Sequence, residues 1–199
     1  MKIKILIVFL VSLFLSACSL NPFSSGQKTT PTPKPIETTL ISLTPTVTNT
    51  PIQASDTIVG LKTTKGTIVI KLFRNLTPNT VANFLTKVNS GFYNGLTFHR
   101  VIADFMAQGG DPKGDGSGGG TIKSEINSTP FVRGSLGLAR SPGNKEVSND
   151  SQFFICFTTE GCQHLTNDYV NFGQVVSGLD VLDQIQPGDK IVEISLNTK

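Results

Sequence analysis

The sequence predicts an all-β dominated domain after residue 55, arranged as an antiparallel barrel or sandwich. Residues 56–199 contain many short apolar runs of strand length but only two helix-like patterns. This segment has roughly 140 residues, a length that suits one domain. Closing the sheet into a barrel would also remove exposed strand edges.

The domain begins with a predicted β-hairpin. Residues 58–64 and 67–73 alternate apolar and polar side chains on either side of Lys65-Gly66. Alternation with a period of two places one face of each strand in the core, and the glycine suits a tight turn. We therefore expect two paired strands at this point.

A helix is predicted next, beginning at Pro78 and ending before Gly91. Thr77 is a suitable N-cap, proline is favoured at the first helical position, and glycine commonly follows a helix. Apolar side chains recur at positions i, i+3, i+4 and i+7: Val81, Phe84, Leu85 and Val88. Such a stripe indicates core packing.

The rest of the domain is predicted to consist of strands and loops with one further helix. Residues 98–111 indicate a strand, a bend and a second strand, and the glycine-rich residues 109–120 indicate a loop. Further strands are predicted at residues 135–139, 152–157, 172–176 and 190–196, and a short helix at residues 179–185. The strand at 152–157 is too apolar to face water on either side.

The N-terminal residues indicate export and lipid anchoring. Two lysines precede an apolar run that is too short to span a bilayer comfortably, as in a secretory signal. The run ends in Leu15-Ser16-Ala17-Cys18, which resembles a bacterial lipobox. Residues 1–17 are therefore predicted to be a lipoprotein signal peptide and Cys18 the lipidated residue; an ordinary secretory signal is the alternative. We expect an extracytoplasmic protein anchored to a membrane of the cell envelope through Cys18.

Residues 18–55 are predicted to be a flexible linker rich in threonine and proline. Five of the eleven prolines lie between Pro31 and Pro51, among many threonines and few charges. Such a segment cannot bury enough apolar surface to offset its ordering entropy, and proline favours extended conformations. We interpret it as a spacer between the anchor and the domain at residues 56–199, with a recognition module as the alternative.

Charge gives no indication of a nucleic-acid partner. The formal net charge of the chain is +3, and residues 56–199 carry thirteen basic and thirteen acidic side chains. The sequence contains no basic stripe with interleaved aromatic residues, which is the usual signature of nucleic-acid binding. We therefore predict no nucleic-acid partner.

The cysteines and histidines do not predict a metal site. Neither histidine stands at ligand spacing from Cys156 or Cys162, the two cysteines of the domain. Export would permit a disulfide between them. However, Cys156 lies in the apolar run 153–157, where a small buried residue is ordinary, so we expect two free thiols. The sequence predicts no metal and no cofactor.

Other catalytic signatures are absent from the sequence. The glycine run lacks the Gly-Lys-Ser/Thr ending of a phosphate-binding loop, and Lys113 and Ile122 stand where an EF-hand needs oxygen ligands. No Gly-x-Ser-x-Gly motif surrounds Ser151, and the carboxylates are scattered. What remains is Arg100 beside apolar side chains, a combination that suits a neutral ligand with one polar group.

Four motifs, in order along the chain, resemble the cyclophilin family of peptidyl-prolyl isomerases. They are Phe98-His99-Arg100-Val101-Ile102, Phe105-Met106-x-Gln108-Gly109-Gly110-Asp111, Gly116-Ser117-Gly118-Gly119 and Ser151-Gln152-Phe153-Phe154-Ile155. The resemblance extends from about residue 58 to residue 196. It implies a closed eight-stranded antiparallel β-barrel capped by two α-helices, with an active-site groove on its outer wall.

The resemblance also implies roles for individual residues. The catalytic group would be Arg100, Phe105, Met106 and Gln108, with Arg100 as the catalytic arginine. The substrate-binding positions would be Gly116, Ala139, Arg140, Ser141, Gln152, Phe154, His164, Leu165 and Tyr169. Of these two groups, the proline pocket would be lined by Phe105, Met106, Phe154 and Leu165.

Three positions depart from the family pattern. Tyr169 stands where many members have histidine, His164 where some have tryptophan, and Ala103-Asp104 replaces the usual Pro-Gly of a bend. None of these departures removes Arg100. We expect them to alter the affinity for substrates or for cyclosporin-type inhibitors.

The expected function is peptidyl-prolyl cis-trans isomerisation that assists the folding of exported proteins. Rotation about an X-Pro bond loses amide resonance, with a barrier of about 18–20 kcal/mol in peptides generally. A fixed guanidinium can donate hydrogen bonds more strongly to the twisted amide than to the planar one. Proline-containing peptides and unfolded exported proteins are the expected partners. The alternative is a proline-peptide binding module with little or no turnover, which the departures at Tyr169 and His164 leave open.

Overall fold

The computed structural model describes residues 57–196, in which ten strands and three helices follow one another. The strands are β1 (Thr57–Thr63), β2 (Gly66–Leu72), β3 (Arg100–Ile102), β4 (Met106–Gly109), β5 (Thr121–Lys123), β6 (Ser135–Leu138), β7 (Val147–Asn149), β8 (Phe153–Cys156), β9 (Asn171–Ser177) and β10 (Ile191–Leu196). The helices are α1 (Pro78–Asn89), α2 (Thr159–Cys162) and α3 (Leu179–Leu182), and a 3₁₀ turn (Gln163–Leu165) follows α2.

The N-terminal predictions lie outside the described residues. These are the signal peptide at residues 1–17, the lipidation site Cys18 and the linker at residues 18–55. Within residues 57–196, the structure contains no helix that is both long enough and apolar enough to cross a bilayer. Lipid anchoring therefore stays a prediction.

Eight of the strands form one curled antiparallel sheet in the order β10-β1-β2-β9-β6-β8-β4-β3. The predicted hairpin is present, because β1 pairs with β2 from Thr57 opposite Leu72 to Thr63 opposite Gly66. β5 and β7, which the sequence pattern did not indicate, form a separate two-stranded sheet. The mostly β antiparallel fold that the sequence predicts is confirmed.

The barrel is not strictly closed. β3 and β10 are the two edges of the sheet, and within residues 57–196 no continuous ladder joins them. Instead, the segments that precede these strands meet at a single bridge between Thr97 and Lys190. The Phe98 N–H donates to the Asp189 carbonyl at 2.9 Å on one side of this bridge, and the Ile191 N–H donates to the Leu96 carbonyl at 2.8 Å on the other.

The core lies inside the curl of the sheet, and α1 covers part of it. Alternate residues of β1 and β2 are buried, which is the period-two pattern that predicted these strands. Phe84 from the apolar face of α1 packs against Phe153 of β8 and Phe172 of β9, with ring centroids 5.9 Å and 5.4 Å apart. The three aromatic rings pack α1 against β8, which carries Phe154 of the site, and against β9.

The N-terminus of α1 is capped by a residue that the local sequence does not predict. The Thr77 side chain does not cap the helix; its hydroxyl instead donates to the Phe73 carbonyl at 3.1 Å. The carboxylate of Glu125 accepts from the backbone N–H groups of Asn79 at 3.1 Å and Thr80 at 2.8 Å. Burial alone would raise the pKa of Glu125, but these donors hold it below its ordinary value.

Cys156 and Cys162 form a disulfide, so the expectation of two free thiols is wrong. Their Cα atoms are 6.1 Å apart. β8 ends at Cys156, and α2 then turns the chain back so that Cys162 returns beside it, with both residues fully buried. Burial of Cys156 was anticipated from its apolar run, whereas the turn that brings Cys162 back was not.

Candidate active site

The predicted site residues line two cavities that share Gln108, Ala139 and Arg140. The first cavity, of about 200 Å³, is lined by Arg100, Phe105, Met106, Gln108, Ala139, Arg140, Phe154, His164, Leu165 and Tyr169. The second cavity, of about 370 Å³, adds the remaining three predicted positions, Gly116, Ser141 and Gln152. The structure therefore brings all thirteen predicted residues of the domain together; the roles assigned to them stay predictions.

Strand register explains how separate motifs meet at the first cavity. Arg100 on β3 is opposite Gln108 on β4, and Gln108 is opposite Phe154 on β8. Directly paired side chains project from the same face of a sheet, so these three form a row across the strands. Met106 lies two residues from Gln108 and shares its face, which brings a buried thioether beside the row.

The apolar part of the first cavity rests on a small cluster apart from the main core. Its buried members are Met106, Phe131, Phe154, Cys156, Cys162 and Leu165, with Phe105 and Tyr169 packed against them. Phe131, which sequence reasoning missed, stacks on Phe154 with ring centroids 5.6 Å apart. The stack needs Gly137 beneath it, because a Cβ there would lie 2.3 Å from the Phe154 ring.

Polar side chains connect the two cavities through a series of hydrogen bonds. Arg100 Nη1 donates to Gln108 Oε1 at 3.2 Å, and it also lies 4.0 Å from Met106 Sδ. Gln108 Nε2 donates to Gln152 Oε1 at 2.9 Å. Gln152 Nε2 in turn donates to the carbonyls of Gly116 at 3.1 Å and Gly118 at 2.8 Å. The arginine is thereby linked to the glycine-rich loop.

The glycine-rich loop folds around the buried carboxylate of Asp111. This carboxylate accepts from the backbone N–H groups of Lys113, Asp115 and Gly116 at 3.0, 2.9 and 2.5 Å. Burial alone would raise the pKa of Asp111, but these N–H donors and nearby His99 hold it below its ordinary value. The Gln-Gly-Gly-Asp motif was the only signal in the sequence that could have drawn attention to this residue.

The opposite side of the first cavity is formed by Arg140 and Tyr169. The Arg140 guanidinium lies 4.4 Å from the centre of the Tyr169 ring. It is held there by Asp168, whose Oδ2 accepts from Nη2 at 2.7 Å and whose carbonyl accepts from Nε at 3.2 Å. Lys145 also pairs with Asp168, and both cations lower the pKa of that carboxyl below its ordinary value. Sequence reasoning missed Asp168, although it immediately precedes Tyr169.

Two of the departures from the family pattern lie at the bend beside the cavity. Asp104 adopts a left-handed backbone with φ of 61°, a conformation that glycine adopts readily and aspartate tolerates better than most residues. The next residue, Phe105, lies against the ring of His164, with centroids 5.6 Å apart. The bend therefore adopts a left-handed backbone without glycine, and His164 forms part of the cavity wall.

Comparison with known proteins agrees with this architecture. Residues 58–196 match the family model described as cyclophilin type peptidyl-prolyl cis-trans isomerase/CLD. A peptidyl-prolyl cis-trans isomerase from Synechococcus elongatus is 44% identical over 142 residues, which cover 69% of this chain and 94% of the relative. An isomerase of the same description from Helicobacter pylori is 44% identical over 140 residues, covering 67% of this chain and 83% of the relative.

A solved structure shows the same fold. The crystal structure of a cyclophilin type peptidyl-prolyl cis-trans isomerase from Cryptosporidium parvum, in the presence of the dipeptide Ala-Pro, superposes with a TM-score of 0.66. The sequence identity is 29%, and the superposition covers 71% of this chain and 99% of the other. The curled eight-stranded sheet and its arginine-flanked cavity therefore define a cyclophilin-like domain. The chain belongs to the cyclophilin-type peptidyl-prolyl cis-trans isomerase family, and it is an isomerase.

Proposed function

We propose that this chain is an extracytoplasmic, lipid-anchored prolyl isomerase that assists the folding of exported proteins, with Arg100 as its catalytic residue. The observation that carries the catalytic part is the position of the Arg100 guanidinium at the edge of a small, partly apolar cavity, oriented by Gln108. Export and anchoring rest on the lipobox-like Leu15-Ser16-Ala17-Cys18 and on the proline-rich spacer.

The geometry suits a proline ring and its peptide bond. The buried side chains of Met106, Phe154 and Leu165 offer the apolar contact that a pyrrolidine ring needs. Within residues 57–196, the hydrogen bonds of the Arg100 guanidinium come from Nη1, to Gln108 Oε1 and Met106 Sδ. Its remaining N–H groups are therefore available to a bound peptide.

Catalysis then follows from differential binding. In the planar ground state the prolyl nitrogen shares its lone pair with the carbonyl, whereas in the twisted state that lone pair becomes a hydrogen-bond acceptor. A guanidinium N–H donating to this nitrogen stabilises the twisted state more than the planar one, which lowers the barrier. The cavity holds the ring while the remainder of the peptide rotates, and no proton is transferred.

The test of the catalytic assignment is Arg100→Ala in the full-length protein, assayed on a proline-containing peptide. We expect kcat/KM to fall about 100-fold, because a hydrogen bond from a charged donor contributes about 1.5–3 kcal/mol and each 1.36 kcal/mol is tenfold in rate. Arg74→Ala is the matched control, since Arg74 is exposed and lines neither cavity. Equal rates for the wild type and Arg100→Ala would contradict the assignment.

The same assay separates the isomerase from a binding module. Wild-type protein that binds the proline peptide without accelerating its isomerisation would favour the binding module, to which Tyr169 and His164 in the cavity wall would then contribute specificity. The role in folding is tested by refolding an exported protein that contains a slow prolyl isomerisation. We expect the wild type, but not Arg100→Ala, to shorten the slow phase. Binding of cyclosporin-type inhibitors in the same groove stays a prediction.

A further inference from the structure

We propose that Asp111 is a positioning residue for Arg100. It acts through the glycine-rich loop, whose backbone N–H groups donate to it, and then through the side chains of Gln152 and Gln108, with neither of which it forms a hydrogen bond among residues 57–196. The inference rests on the proposed catalytic role of Arg100. It assigns to Asp111 a task beyond folding the loop, namely fixing the orientation of the Gln152 amide and, through it, which end of the Gln108 amide faces the arginine.

The first step is the way Asp111 holds the loop. Its side chain is 1% exposed, and within residues 57–196 its hydrogen-bond donors are backbone N–H groups rather than lysine or arginine side chains. The loop passes so close that a Cβ on Gly118 would lie 2.0 Å from Asp111 Oδ1. A carboxylate with two oxygens can accept three N–H groups at once, which an amide or a hydroxyl in its place cannot do equally well.

The second step is that the loop backbone held by Asp111 fixes the orientation of the Gln152 amide. The N–H of Gly116 donates to Asp111 Oδ2, and the carbonyl of the same residue, one peptide plane further on, accepts from Gln152 Nε2. The Gly118 carbonyl accepts from the same nitrogen and from Asn149 Nδ2 at 2.9 Å. Two carbonyl oxygens therefore demand the NH₂ end of the Gln152 amide, and its oxygen must turn the other way.

The third step links the orientation of the Gln152 amide to Arg100. Because Gln152 directs its Oε1 toward Gln108, the Gln108 amide must direct its NH₂ group toward Gln152, and Gln108 Nε2 donates to Gln152 Oε1 at 2.9 Å. The Gln108 oxygen is then left to face Arg100 Nη1 at 3.2 Å. If the loop peptide turned over, Gln152 and Gln108 could both flip, and an NH₂ group would face the guanidinium. Two donors repel, so Arg100 would lose its fixed orientation.

The experiment is a double-mutant cycle between Asp111→Asn and Arg100→Ala in the full-length protein, assayed on a proline-containing peptide. In the wild-type background, we expect Asp111→Asn to lower kcat/KM about tenfold, the equivalent of one misplaced hydrogen bond. The loss should fall on kcat, with KM little changed, because the apolar wall is untouched. In the Arg100→Ala background, the same substitution should change kcat/KM by less than about twofold.

The matched control is Lys113→Gln, which removes an exposed charge from the same loop and keeps the backbone N–H that donates to Asp111. The Lys113 side chain lines neither cavity, so full activity is expected. Should Asp111→Asn fail to fold, Gln152→Leu breaks the same series between the loop and Gln108. Its loss of kcat should likewise disappear in the Arg100→Ala background.

An equal loss in both backgrounds would show that Asp111 only stabilises the fold, and it would overturn the proposal. A wild-type rate for folded Asp111→Asn, together with a large loss for Arg100→Ala, would reject the positioning role while keeping the proposed function. No loss for Arg100→Ala would reject both. The outcomes are therefore distinguishable.

Discussion

His99 is a partly buried titratable group beside the site, and its surroundings disfavour its charged form. Both ring nitrogens are enclosed and have no hydrogen-bond partner among residues 57–196. Burial lowers the pKa of His99 below 6.5, and Arg100 lowers it further, although Asp111 and Asp115 oppose this. A neutral imidazole thus packs against the outside of the glycine-rich loop, where a protonated one would be costly.

This predicts a specific pH dependence of stability. Between the lowered pKa of folded His99 and the ordinary value of 6.5, the unfolded chain binds more protons than the folded one, so the free energy of unfolding rises with pH. Stability should therefore decline as the pH falls below 6.5. Urea unfolding at several pH values measures this, and His99→Phe should remove the decline. His164→Phe is the matched control; a decline that persists in His99→Phe would assign it to another group.

Individual residues also show how far sequence reasoning extends at the site. It named every residue that lines the first cavity and part of the lining of the second, because the motifs containing Arg100, Gln108 and Gln152 are local and specific. It did not predict the connections of Asp111 or Asp168. Those depend on which backbone N–H groups and side chains the loops bring together, and sequence spacing alone does not determine that.

At the scale of elements, long-range contacts replaced two local expectations. The N-cap rule pointed to Thr77, yet Glu125, far along the chain, supplies the acceptor for the first turn of α1. A carboxylate there also interacts favourably with the helix dipole, so it outcompetes a hydroxyl. Likewise, the apolar run 153–157 correctly indicated burial but could not show that α2 returns Cys162 to Cys156.

The disulfide predicts a measurable loss of stability on reduction. It closes a short loop around α2, and a cross-link of this span stabilises by about 2 kcal/mol in the chain-entropy model. We expect reductant to lower the free energy of unfolding by about this amount, as measured by urea unfolding with and without dithiothreitol. The double variant Cys156→Ala with Cys162→Ala is the control, because its stability should not respond to reductant. A reductant-insensitive wild type with two titratable thiols would contradict the prediction.

At the scale of the whole domain, the positions of the strands are predicted best where apolar and polar residues alternate with a period of two. The bounds of β1, β2, β9 and β10 were predicted within a residue or two. Strands with one buried face can be recognised in a sequence because apolar and polar residues alternate. The short strands β5 and β7 were not predicted, because three residues are too few for a period to be recognised. The strict closure that the family resemblance implied is replaced by a single bridge between Thr97 and Lys190, in segments that have no strand pattern.

Attachment to the membrane is the prediction that concerns the whole molecule. Cys156 and Cys162 are joined to each other and fully buried, so Cys18 is the cysteine available for acylation. Two or more acyl chains on one residue hold a protein stably at a bilayer, whereas one chain does so only marginally. We expect Cys18→Ser to move the protein from the membrane fraction to the soluble fraction, without lowering kcat/KM on a proline peptide, because residues 57–196 contain both cavities. Cys162→Ser is the matched control and should stay with the membrane. Unchanged fractionation of Cys18→Ser would reject the lipid anchor while leaving the isomerase assignment intact.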